Sequence, residues 1–324
     1  MASIKIINVD EIVTSDGGVV NMTAMAASNN VADGHSSSAS HVMFGGGYLS
    51  YSYSSACDMK QFASTAVAVD HGTLTQARIE FGSGSDGSQA MFGGGHDSSN
   101  QVNTCDMKQF STNANATDHG DLIQVRHHLT GASDGTQVLF VGGYDGSSNV
   151  DTCDMKQFNS TAIAVDHGDL SQARQGLASG SDGSQAMFGG GYASSQVNTC
   201  DMKQFNSTAI AVDHGDLSQA RSWFKAASDG SQVMFGGGYN AGYLNTCDMK
   251  QFSSDSTAVD HGDLSVARHH VAAASDGIQA MFGAGSSGAE ALCEMKQFAS
   301  ASDAINHGSL SHGGQAPGAA SGNA

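Results

Sequence analysis

Apolar residues in this chain fall into short runs that return at a near-constant interval. The runs, such as SQAMF and SQVMF, begin near Val42, Ala90, Val138, Ala186, Val233 and Ala280. None is followed by the 3.6-residue period of an amphipathic helix, so each predicts a strand. Each ends in glycines such as Gly189-Gly190-Gly191, which permit a bulge or close backbone approach. Five of the six are preceded by a turn of the type Ser85-Asp86-Gly87, in which the Asp caps the turn and the Gly accepts a positive φ. A strand before that turn follows an arginine (Arg78, Arg126, Arg174, Arg221, Arg268), a third strand reads NTCDMKQF, and a fourth reads AIAVDHG before DLSQAR.

These four strands are one repeat. TCDMKQFNSTAIAVDHGDLSQAR stands at 152–174 and again at 199–221, and successive cysteines are 48, 48, 47, 47 and 46 residues apart. Four strands in that length is the size of a propeller blade, whereas a β-helix coil would be shorter. The expected fold is all-β, a single β-propeller of four-stranded antiparallel blades. Six repeats are placed at 28–75, 76–123, 124–171, 172–218, 219–265 and 266–311. The tail at 312–324 is expected to close the ring, because LSHGGQAPGAASGNA resembles the first-strand segment of a repeat. Strand candidates in 1–27 are expected either to join the tail in a composite seventh blade or to anchor the protein to a neighbour. Seven blades is the expected count, with six as the alternative.

Composition narrows the function classes. The chain has 324 residues and a formal charge of −18, from 31 acidic and 13 basic residues. Such a surface repels phosphate backbones and argues against nucleic acid. No apolar run is long enough for a membrane-spanning helix, so no membrane insertion is expected, and the N-terminus shows no secretory pattern. Cys57, Cys105, Cys153, Cys200, Cys247 and Cys293 occupy one slot of successive repeats, too far apart for bridging, and are expected to be buried thiols.

The order Arg174, Ser181-Asp182-Gly183, Met187-Phe188-Gly189-Gly190 and Asp201 resembles a Kelch repeat over about 28–311, although the late-repeat Trp is missing and Trp223 lies on a different strand. GGGYASSQVNTCDMKQF (189–205) and AVDHGDLSQAR (211–221) are similar to the Gly-rich repeats of marine tailed-phage proteins, with His214 where an aromatic is usual. That resemblance implies a virion structural part, a fibre or tail component assembled in a host cytoplasm.

Features present in every blade are expected to be architecture. His71, His119, His167, His214 and His261, each after an Asp, are weak metal candidates set against a repeated structural hydrogen bond. The repeat-locked arginines and lysines are expected to pair with repeat-locked carboxylates. Binding is better sought where repeats disagree. The loops after the glycines carry Tyr48, Tyr51, Tyr53, Tyr144, Tyr192, Tyr239 and Tyr243, whose faces suit sugars or protein surfaces. The stretch after each arginine also varies. Its pairs His127-His128 and His269-His270 would lie near the channel, but strand alternation would turn neighbours to opposite faces, so packing is expected. No unlike carboxylate pair or Tyr/His/Cys cluster stands out, so the protein is expected to be no enzyme and to need no cofactor. The expected role is a structural or adhesive virion component, several copies per particle, contacting other virion proteins and a host surface glycan. The alternative is an intracellular Kelch-type protein-binding propeller.

Overall fold

A computed structural model of the protein describes residues 39–323, apart from 287 and 289, together with the backbone of five short strands between residues 5 and 36. Six four-stranded antiparallel sheets form a β-propeller. The second blade, for example, comprises Gly82–Ser85, Gln89–Gly93, Thr104–Gln109 and Thr117–Asp121. The first strands of neighbouring blades touch around a closed circuit, which puts them against the axis. Among the described residues no helix is long and apolar enough to cross a membrane.

The count is six, not seven. Gly318–Gly322, near the C-terminus, pairs with His41–Leu49 and becomes the first strand of the first blade. The first repeat thus lacks its own inner strand and the tail supplies it, so six repeats make six blades. The described N-terminal strands take no part in this closure. Strands Lys5–Asn8, Glu11–Val13 and Val19–Asn21 pair with one another and join no blade. Their side chains, and the expected anchor, lie outside the described residues.

Apolar residues on both faces of the second strands fill the spaces between blades. Met91 and Cys105 of the second blade pack with Val138 and Phe140 of the third, all fully buried. Blades approach so closely that a Cβ on Gly236 would lie 2.6 Å from Phe282 of the next blade. All six cysteines are buried and unbridged, and burial pushes their thiols up to about 12.

Polar groups that recur in every blade stitch the ring together. Arg78 pairs with Asp106 at 3.1 Å, and Arg126, Arg174, Arg221 and Arg268 repeat the pairing with Asp154, Asp201, Asp248 and Glu294, with every partner's side chain fully buried. In the first blade Asp58 instead meets His312 at 2.8 Å, two positions before the slot that holds arginine elsewhere. The lysines depart from the expected carboxylate pairing: Lys156 Nζ donates to the Ser160 and Ala162 carbonyls, both at 2.6 Å. The serine of the Ser-Asp-Gly turn does more than shape the turn. Ser133 Oγ donates to the Ser85 carbonyl of the preceding blade at 2.7 Å, and Ser85, Ser228 and Ser275 make the same step.

Candidate functional site

The fourth-strand histidines lie at the blade boundaries. His71 Nε2 is 3.1 Å from the Gln109 carbonyl of the next blade, and His119, His167, His214 and His261 meet Gln157, Gln204, Gln251 and Gln297 in the same way. His307 meets Gln61 and completes the circuit. Nε2 is thus engaged with a backbone carbonyl at all six positions, and among the described residues these histidines enter no convergent group of metal-ligating side chains.

A different set of residues converges on the axis. After each arginine, and just before the first strand, the chain passes through one residue in the left-handed region: Glu80, His128, Gly176, Trp223, His270 and Ala316, with φ between 54° and 64°. Side chains pay a steric penalty there, so five non-glycine residues in a row of equivalent sites mark a tertiary constraint. The constraint is a closed ring of hydrogen bonds. His128 N–H donates to Glu80 C=O, Gly176 to His128, Trp223 to Gly176, His270 to Trp223, Ala316 to His270 and Glu80 to Ala316, at 2.7–3.1 Å.

This left-handed kink also overturns the strand-alternation argument. His127 and His128 are not on a strand, and their rings lie 4.5 Å apart, as His269 and His270 do at 4.3 Å. Inside the ring, His128 Nε2 is 3.2 Å from Glu80 Oε2 and His270 Nε2 is 3.7 Å from Glu80 Oε1. His127 Nε2 stands a little farther out, 3.8 Å from Glu80 Oε2. Lys225, at the start of the fifth blade's first strand, faces the same cavity, which has about 30 Å³ of space and is also lined by Gly176, Trp223 and Ala316. Burial dominates the electrostatics. It pushes the Glu80 carboxyl up to about 8 against the attraction of Lys225, and the Lys225 ammonium down to about 8. It takes His270 down to about 3 and His128 well below its usual range, with neighbouring imidazoles adding to both shifts, so these rings are held neutral.

The variable loops frame the same mouth. Tyr144 bridges His127, Tyr192 bridges Gln175, Tyr239 bridges Ser222 and Tyr48 bridges Gln315. The two stretches that vary between repeats are therefore one surface. Tyr192 stacks on Trp223 at 6.2 Å, and Tyr243 on His269 at 4.7 Å. Tyr48 meets Tyr53 edge-on, and Tyr53 continues to His96 and from there to His127. Tyr51 stands apart at the hairpin tip, 94% exposed. Sequence reasoning missed Glu80, Trp223 and Lys225. The available signal for Glu80 and Trp223 was that the residue two after each arginine varies (Glu80, His128, Gly176, Trp223, His270) in an otherwise repeated chain; Lys225, four after Arg221, stands outside that position.

No protein-family model matches this chain, and no curated protein matches it in sequence.

Proposed function

We propose that this six-bladed propeller is a non-enzymatic binding protein, an adhesive component of a tailed-phage particle that engages surface carbohydrate through the mouth of its axis. One observation carries the reading: blades alike almost everywhere become unlike at that mouth, where Glu, His, Gly, Trp, His and Ala occupy six equivalent sites under a rim of tyrosines. A binding surface must break a repeat's symmetry, whereas architecture repeats it. Tyr192, Trp223, Tyr239, Tyr243 and His269 form a continuous set of ring contacts. Such faces take the C–H side of a sugar, and adjoining amides take its hydroxyls. The non-enzymatic reading draws support from the third-strand carboxylates of blades two to six, which are bound to buried arginines. The virion assignment draws on the repeat resemblance.

Two measurements test the parts separately. Retention on a glycan array should be lost in Tyr243→Ala and Trp223→Ala variants that keep the parent melting temperature. Failure to bind any glycan removes the carbohydrate reading. Mass spectrometry with immunogold labelling of purified particles should place the protein on their surface. Its recovery only from cell lysate would favour the intracellular protein-binding alternative.

A further inference from the structure

The ring of left-handed residues does something a purely aromatic binding face does not require: it brings two neutral imidazoles and one carboxyl group, which releases its proton when it binds a metal, from three blades to a single point. We propose that Glu80, His128 and His270 bind one divalent transition-metal ion of the zinc class on the propeller axis. Their ligating atoms all lie within 4.8 Å of one another. The two carboxylate–imidazole separations are 3.2 and 3.7 Å. Ligands around a tetrahedral ion with bonds of about 2.1 Å stand about 3.4 Å apart, so the two carboxyl–imidazole pairs already stand near ligand spacing, and the more widely spaced atoms of the set, within 4.8 Å, must draw closer on binding.

A second observation points the same way. His270 Nε2 is buried and has no hydrogen-bond partner, and it faces the carboxylate at a distance too long for a hydrogen bond. A buried imidazole nitrogen without a partner is costly, and an ion between it and Glu80 would remove that cost. The cavity, about 30 Å³, has room for an ion and a water. That room exists because two of the six ring sites carry Gly176 and Ala316. The donor set of two nitrogens and one oxygen suits zinc, cobalt, nickel or copper rather than magnesium or calcium. Three protein ligands leave at least one coordination position free.

The groups facing this point include one adverse charge. Lys225 lines the same cavity and makes no ion pair within 4 Å among the described residues. It competes with a cation for Glu80, so its removal should favour the metal. His127 faces Glu80 from the outer side at 3.8 Å and does not belong to the three residues whose ligand atoms converge.

The chain's single tryptophan provides a built-in reporter, because Trp223 lies 6.0 Å from His270, ring centre to ring centre. The experiment is titration of EDTA-stripped full-length protein with Cu2+ followed by tryptophan fluorescence, with Zn2+ by calorimetry and with Co2+ by visible absorption. The expected result is one ion per chain, saturable quenching, and a cobalt spectrum of low-coordinate nitrogen and oxygen ligation. Glu80→Gln, close to isosteric, should weaken Zn2+ binding at least ~100-fold, and Lys225→Met should strengthen it. His214→Ala, in the outer ring, should leave stoichiometry and affinity unchanged. Absence of Zn2+ and Co2+ binding up to millimolar concentration would overturn the proposal. So would binding that persists unchanged in folded Glu80→Gln and His270→Asn proteins. If those variants fail to fold, histidine-ring NMR of the parent decides: zinc must shift His128 and His270 and spare His71.

Discussion

Replacing Asp106 with alanine should destabilise the whole propeller, and the size of the loss follows from what Asp106 touches. Its carboxylate lies 3.1 Å from the Arg78 guanidinium, and both side chains are fully shielded from water. It also accepts hydrogen bonds from the Thr75 amide and hydroxyl. Arg78 in turn donates to the carbonyls of Thr104 and Phe92 at 3.0 and 2.9 Å. Removing one member of such a pair strands a buried charge, which costs about 3–5 kcal/mol. Unfolding entropy of ~2.1 cal/mol/K per residue over roughly 285 ordered residues is about 0.6 kcal/mol/K, so the melting temperature should fall by about 5–8 °C. The assay is calorimetry, with guanidinium unfolding at neutral pH as a second measure. The double variant Arg78→Met/Asp106→Leu removes both charges but leaves the Thr75 amide and hydroxyl without their carboxylate acceptor, at about 1–3 kcal/mol each, while the Thr104 carbonyl keeps the Gly94 amide as donor. It should therefore lose about 2 kcal/mol less than the sum of its singles without regaining parent stability. The first blade supplies a control, since the His312 partner of Asp58 is 43% exposed. Asp58→Ala should cost only about 1–2 kcal/mol, because water screens that pair. A loss below ~1 kcal/mol for Asp106→Ala, or strict additivity in the cycle, would refute the reasoning.

Two further outcomes follow from ring closure and from the buried thiols. Deleting residues 313–324 should lower the melting temperature by more than ~10 °C, because the His41–Gly45 edge and the Phe81 and Phe92 rings beside Gly318 lose their cover; deleting 1–27 should move it by less than ~2 °C. Equal effects of the two deletions would mean that the N-terminus shares in closure. Alkali should destabilise the protein, with the sign set by the cysteines. Each thiol titrates near 9.0 when free and is raised to about 12 in the fold, so between those values the native state holds more protons and stability falls as pH rises. The slope approaches ~1.4 kcal/mol per pH unit per thiol, and Cys200→Ala should show a decline between pH 9 and 10.5 that is shallower by up to that amount. An unchanged slope in that variant would rule the thiol out as the cause.

Turn chemistry and strand order were legible in the chain because both are local. Asp86 Oδ1 accepts the amides of Ser88 and Gln89 within four residues, and Gly87 takes φ of 88°, whatever surrounds the turn. Both faces of QAMF are apolar because a neighbouring blade covers each side, and a repeated sequence implies repeated neighbours. The buried, unbridged cysteines followed in the same way from their equal spacing. Blade number did not, because it depends on which distant segment pairs with His41–Leu49, and a weak glycine- and alanine-rich tail outcompetes the N-terminal strands for that edge. The axial cluster was hidden for a related reason. Glu80 and His270 are 190 positions apart and meet only because six blades complete a circle. Their side chains converge because an inter-blade hydrogen-bond ring holds each residue in the left-handed region, where the strand rule of alternating faces does not apply. The sequence by itself determined the blade; the tertiary structure decided how many blades close the ring and what meets at its centre, because ring closure is a long-range pairing with no local signature.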